Sequence, residues 1–261
     1  MNQFGETSQL NITASYREGK TFLSGCSFTA PLKVMFPFPE EDGGICVMML
    51  AASAGILAGD EQLISAEVEE RAALTFTGQS YDKLHAMKEY ENASRTVKLH
   101  VSKDGTLRYL PKAVIPFRDS SFRCRTFVSL EASARLCMGE ILTCGRYGHG
   151  GERFAYREYA SLTEVRRDKR LIYRENVRFL PETLPMQGIG MMEQYTHQLN
   201  MFLTGDGCSE QKEAGIRKLI MNETETEAAV TRTRDGDLAV RAFSMCAESL
   251  EELERKVASI R

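Results

Sequence analysis

The chain has no apolar run near the roughly 20 residues that a membrane-spanning helix needs. Its start, Met1 to Gln9, is polar and not a charged lead into an apolar core. Both absences predict a cytoplasmic chain with no membrane partner. Basic charge is not in excess either: 33 Lys and Arg against 36 Asp and Glu give a formal charge of −3. Without a net positive field to hold a polyanion, nucleic acid is not a predicted partner. The seven cysteines (Cys26, Cys46, Cys124, Cys137, Cys144, Cys208, Cys246) are odd in number, scattered and never in a C-x-x-C pair. That excludes a disulfide framework and a closed zinc site, and leaves small core hydrophobes in a reducing compartment.

Catalytic motifs are missing as well. There is no G-x-S-x-G, H-E-x-x-H or G-x-x-x-x-G-K-[ST], and Gly188-Ile189-Gly190 lacks the third glycine of a dinucleotide site. The chain is therefore predicted not to be an enzyme. His85, His100, His149 and His197 are dispersed. Cys144 and His149 lie five residues apart across a Gly-rich stretch, which supplies two soft ligands where a strong site wants three or four.

What is present is β-type patterning from Leu10 to about Leu203. Val97, Leu99 and Val101 alternate with Lys98 and His100, the period-2 pattern of a half-buried strand, and Asp104-Gly105 reads as a hairpin turn into Leu107 to Leu110. Phe122 to Leu130, Arg153 to Val165 and Leu171 to Phe179 are further strands, with the charge run Arg166 to Arg170 as a solvated turn. So many strands must hide their edges by closure, stacking or coverage. The prediction is a mainly β fold of stacked, coiled sheets with β-helical character, although no repeat of fixed period is visible.

After Leu203 the pattern changes. Ser209 caps a helix to about Met221, Arg234-Asp235-Gly236-Asp237 marks a hairpin, and Ser249 with Glu252 reads as a capping box for a terminal helix carrying Leu250, Leu253, Val257 and Ile260. Residues 1–203 thus form the main β domain. Residues 204–261 form a small C-terminal α/β lobe with two helices, packed on the core.

Three acids stand among apolar strand residues: Asp60 after Leu57-Ala58-Gly59, Glu140 between Met138-Gly139 and Ile141-Leu142, and Glu175 between Tyr173-Arg174 and Asn176-Val177. A carboxylate beside a buried strand must be paired, hydrogen-bonded or facing water. Arg146 and Arg174 are available as partners.

Four blocks carry a resemblance. The first is Met48-Met49-Leu50-Ala51-Ala52-Ser53 with Ala54-Gly55-Ile56-Leu57-Ala58-Gly59-Asp60, and the second is Leu74-Thr75-Phe76-Thr77-Gly78-Gln79-Ser80-Tyr81-Asp82-Lys83. The third runs from Tyr109-Leu110-Pro111 through Ile115-Pro116-Phe117. The fourth is Gly139-Glu140-Ile141-Leu142-Thr143-Cys144-Gly145-Arg146, followed by Gly151-Glu152-Arg153-Phe154. In this order and spacing the chain resembles the urease accessory protein UreD family, called UreH in some species. The likeness spans about Phe28 to Phe179, with an echo at Tyr195-Thr196-His197. It departs where one glycine of each family pair is Ala54 or Ala58, and where an aromatic common before the Glu140 position is Gly139.

The resemblance implies a non-enzymatic chaperone of metallocentre assembly. Such a chain binds a UreF-type accessory protein, through it a UreG-type GTPase, and the urease apoprotein, and helps nickel reach the urease active site. It also implies a mostly β fold and an internal passage for nickel. No cofactor is held tightly; nickel is transient. Asp60, Glu140 and Glu175 would line its path, with Thr77 and Ser80 as neutral oxygen donors, because carboxylate and carbonyl oxygens bind nickel weakly enough to exchange. Lys83 and Arg146 could instead neutralise those acids. Two other readings stay open: an adaptor that bridges urease to its partners without touching metal, and a metal-dependent hydrolase in which two of the acids hold a cation that activates water.

Overall fold

The computed structural model describes residues 6–148, 150–205 and 208–260. The chain opens with β1 (Ser8–Arg17), β2 (Lys20–Phe28), β3 (Leu32–Val34), β4 (Phe38–Pro39), β5 (Ile45–Ala51) and β6 (Glu61–Val68). It continues through β7 (Ala73–Gly78), β8 (Asp82–Leu84), β9 (Ala93–Val101), β10 (Thr106–Leu110), β11 (Val114–Pro116), β12 (Ser121–Leu130) and β13 (Arg135–Thr143). β14 (Glu158–Arg167), β15 (Arg170–Phe179) and β16 (His197–Thr204) follow. The chain then closes with α1 (Glu210–Asn222), β17 (Thr226–Arg232), β18 (Leu238–Ser244) and α2 (Ala247–Ser259).

These strands wind into a β-solenoid of about four turns, the coiled β architecture that the patterning predicts. One sheet has the order β15-β14-β12-β9-β6-β1-β2, and β1, β6, β9, β12 and β14 run parallel within it. The second follows β17-β18-β16-β13-β10-β7-β5-β3, with β5, β7, β10 and β13 parallel. β8 and β11 make a short third face, joined to the second sheet where Val114 pairs with Leu142.

The sequence dictates this coil through inward rows of period two. On β9 the row is Ala93, Arg95, Val97, Leu99 and Val101, all buried, while Lys98 is exposed. Stacked rows from successive turns build one core cluster that includes Ile64, Val97, Leu99, Val128, Phe76 and Tyr109. Asp104-Gly105 is not a hairpin turn. β9 and β10 belong to different sheets, so the pair is a corner of the coil, with Asp104 at a φ of 58°. A corner and a hairpin share the same turn chemistry, and only the pairing of the flanking strands separates them.

The rows also explain why no period is visible. The aligned positions Gln62, Arg95, Cys124 and Ser161 are separated by unequal stretches of chain, because the corners differ in length while the strands stay in register.

The tail continues the second sheet, since β18 pairs with β16 along its length and with β17 on its other side. α1 begins as expected, with Ser209 Oγ accepting from the Lys212 amide at 3.1 Å. Ser209→Ala is expected to cost about 1 kcal/mol of stability in denaturant titrations. Ser249 is not a cap: α2 begins at Ala247 after Cys246, and the Ser249 hydroxyl donates to Glu225 at 2.6 Å. Leu250, Leu253 and Val257 still face inward, packed with Leu199, Met201 and Val240. The strand expected over Arg153 to Val165 starts later than its pattern suggests, at Glu158, because Arg153 to Arg157 form the corner that leads into it.

Candidate functional site

The site grows from a rung of polar positions aligned across the inward rows. Gln62 on β6 pairs in register with Arg95 on β9, Arg95 with Cys124 on β12, and Cys124 with Ser161 on β14. The adjoining rung on one side is Ile64, Val97, Thr126 and Thr163, so the line is two polar rungs wide at β12 and β14. Ile64, Val97 and Val128 belong to the large cluster, and Ala93, Phe122 and Tyr159 to a smaller one beneath the third face. A polar seam therefore crosses the interior from turn to turn between two hydrophobic layers. Strand spacing of about 4.8 Å makes the step from Arg95 to Ser161 about 10 Å.

At one end of the seam Arg95 Nε donates to Gln62 Oε1 at 2.9 Å and Nη1 to Asp82 Oδ2 at 2.5 Å. Burial works to lower the Arg95 pKa, but the Asp82 carboxylate outweighs it and holds the guanidinium above its ordinary value. These three residues line a pocket of about 70 Å³ together with Gly55, Ser80, Lys83 and Lys112.

At the other end Glu140 points inward from β13. Tyr159 Oη donates to its Oε1 at 2.5 Å and Ser161 Oγ to its Oε2 at 2.9 Å. Burial raises the Glu140 pKa, opposed by these two hydrogen bonds. Glu175 shares the cleft, accepting from Tyr173 Oη at 2.8 Å and pairing with Arg241 at 2.7 Å. The space between is about 10 Å³ and is edged by Gln198 and Asn200. That volume holds about one water. In the middle, burial pushes the Cys124 thiol up to about 12, so it is neutral at physiological pH.

β13 has two covered faces, which is why its block is so apolar. Glu140 and Met138 face the seam side, while Cys137 and Ile141 pack under α2. Gly139 faces α2 too, because a Cβ there would lie 1.9 Å from Glu254 Oε1.

Comparison with known proteins decides what carries this interior. The family model described as UreD urease accessory protein matches residues 6–261. The chain belongs to that family. A urease accessory protein UreD of Acetivibrio thermocellus is 34% identical over 263 residues, covering 99% of this chain and 98% of the relative. A urease accessory protein UreH of Helicobacter pylori strain P12 is 30% identical over 259 residues, at 99% and 96% coverage. A urease accessory protein UreD of Flavobacterium johnsoniae is 28% identical over 254 residues, at 96% and 90% coverage.

In this UreD-family chain the expected site residues separate. Glu140 and Glu175 meet in one cleft, but Asp60 lines neither cavity of the seam. Its Oδ2 accepts from the Leu57 amide at 2.8 Å and its carbonyl from the Ser94 amide at 2.9 Å, so it closes the turn that sets β6 beside β9. Among the described residues it pairs with no lysine: Lys83 is exposed and contributes its carbonyl to the Ile56 amide. Thr77 lies on the face of β7 opposite Phe76, its hydroxyl donating to the Leu110 carbonyl at 2.7 Å, and Ser80 stands on the wall of the outer pocket.

The arginines named as partners go elsewhere, Arg146 to Glu152 and Arg174 to Glu164. His149 lies outside the described residues; Cys144 is buried, with its thiol raised to about 11 by burial. His197 is buried as well, 2.7 Å from Thr196 Oγ1 and lowered to about 4. Among the described residues no three His, Cys, Asp or Glu converge as a metal cluster.

The sequence alone does not single out Gln62, Asp82, Arg95, Tyr159 and Ser161. Their signal is a polar residue interrupting an apolar inward row, as Arg95 interrupts Ala93 and Val97.

The glycine block of the first segment has a physical basis at Gly55. Its φ is 151°, and an added Cβ would lie 2.4 Å from the Lys83 carbonyl oxygen. Backbone meets backbone there, so nothing can swing aside. Gly55→Ala is expected to lower stability by about 2–3 kcal/mol, read as a lower urea midpoint.

Proposed function

We propose that this UreD-family chain is a non-catalytic scaffold that joins apo-urease to a UreF-type protein and, through it, a UreG-type GTPase, and that nickel crosses it along the interior seam. The observation that carries the reading is Glu140: a half-buried carboxylate facing a space for one water, held by two hydroxyls and by no cation among the described residues. A carboxylate placed so carries a desolvation cost that no ion pair offsets, and groups of this kind concentrate at functional sites. The oxygen donors along the seam suit a cargo that must be released. No helix among the described residues is long and apolar enough to cross a membrane. The partner half of the proposal is supported by an exposed apolar group at the start of the coil, where Phe22, Met35 and Phe36 line one open groove and Phe36 is 88% exposed.

The test is reconstitution of apo-urease with the two partner proteins and limiting nickel, comparing wild type with Glu140→Ala and Asp60→Ala. Loss of activation in the Glu140 variant with the complex still assembled is the expected result. Unchanged activation with the complex intact overturns the carboxylate path and leaves an adaptor.

A further inference from the structure

The outer pocket of the seam has an excess of positive charge. Lys83, Arg95 and Lys112 line it against one carboxylate, Asp82. Lys112 is held from outside the pocket, its Nζ donating to Glu251 at 2.7 Å, and exposed Lys83 has no ion pair among the described residues. Cations gathered round one small space repel each other and draw in an anion.

Arg95 is the side chain built to meet it. It is 5% exposed, and two of its three guanidinium nitrogens are occupied: Nε donates to Gln62 Oε1 at 2.9 Å and Nη1 to Asp82 Oδ2 at 2.5 Å. The Phe122 ring lies 5.9 Å from the guanidinium carbon. Nη2 donates to nothing among the described residues, yet it is not sealed off, and the space that Arg95 lines is this pocket. A buried charged donor without an acceptor is costly. A guanidinium fixed by its other two nitrogens is half of an oxyanion site, because its fork is already oriented. Ser53, Ala54 and Gly55, also on the wall, have successive amides that donate to no group among the described residues. Such runs of amides hold anions in other folds. The volume of about 70 Å³ is enough for a few waters, and so for an ion of a few heavy atoms.

We propose that the outer pocket is a binding site for a small oxyanion, tetrahedral or planar, with one oxygen on Arg95 Nη2 and its charge offset by Lys83 and Lys112. Arg95 keeps Asp82 and Gln62 throughout, so no buried charge loses its partner. The inference goes beyond the nickel reading, which rests on Glu140 at the other end of the seam, and either can fail without the other.

The experiment titrates the full chain with inorganic phosphate, bicarbonate and acetate in turn, by isothermal titration calorimetry in chloride buffer at constant ionic strength. Saturable binding of at least one of them in the millimolar range is expected. Phosphate alone identifies a tetrahedral ligand, and bicarbonate or acetate a planar one. Arg95→Lys keeps a charge for Asp82 and removes the free Nη2, so binding is expected to weaken about tenfold. Ser80→Asp puts a carboxylate on the pocket wall at an exposed position, leaves the Arg95 pair untouched and is also expected to weaken binding about tenfold. Where Arg95→Lys does not fold, Ser80→Asp decides alone. No saturable binding to wild type, or binding that a folded variant of either kind leaves unchanged, overturns the site. If both variants weaken anion binding while Glu140→Gln leaves urease activation unchanged, the anion site stands and the nickel path fails. If Glu140→Gln blocks activation and no anion binds, the path stands and the anion site falls.

Discussion

A Glu140→Gln chain is expected to activate urease at least tenfold more slowly than wild type while melting at the same temperature or higher. The substitution keeps the shape and lets the amide oxygen accept from Tyr159 or Ser161, but it removes the cleft carboxylate that no arginine holds, since Glu175 is paired with Arg241. Tenfold corresponds to about 1.4 kcal/mol, well within the worth of a carboxylate contact to a divalent ion. Stability does not fall, because burial already disfavours the ionised form. Glu140→Asp keeps the charge and shortens the reach, and it should retain partial activity. The pH dependence has a fixed sign: because the Glu140 pKa is raised, protons compete with nickel from a higher pH than at an ordinary carboxylate, and transfer weakens as pH falls through that value. Wild type should show this limb and the Gln variant should not. Equal activation by wild type and Glu140→Gln at all pH values would sink the assignment.

The second large effect lies on the other side of β13. Glu254 on α2 is 6% exposed, its Oε1 has no hydrogen-bond partner among the described residues, and burial first and Glu251 second push its pKa up to about 8 from an ordinary 4.5. The folded state therefore favours the protonated acid. Stability from this site is full below about pH 4.5, falls as pH rises, and is lost by about pH 8. At pH 7 the difference is about 3 kcal/mol at 1.36 kcal/mol per pH unit. Glu254→Gln should recover up to that amount at pH 7, gain nothing at pH 4, and flatten the profile between, as read by urea midpoints across pH.

Gly139 is coupled to the same carboxyl group. Gly139→Ala should cost about 2 kcal/mol in the native background and little beside Glu254→Ala, since the clash is with that side chain alone. This glycine is thus matched to an acid more than a hundred residues away.

The local sequence determined what depends on near neighbours. Period-two rows fixed most long strands, Ser209 fixed the start of α1, the Asp235-Gly236 turn fixed the last hairpin, and four ordered blocks pointed to the family. Pairing was not local. Asp104-Gly105 and Arg166 to Arg170 both read as turns, yet the first is a corner between sheets and the second a true hairpin between β14 and β15. Asp60, in the segment that most marks the family, turned out to hold its own turn, because its oxygens reach the Leu57 and Ser94 amides before any cavity. Glu140 and Glu175, well apart in the chain, share a cleft, and Arg95 reaches Asp82 across two faces, because coiling stacks one inward row on the next at a fixed strand spacing while the corners between vary in length. The residue types of the seam were in the sequence; their alignment into one line was decided by register, which no single strand contains.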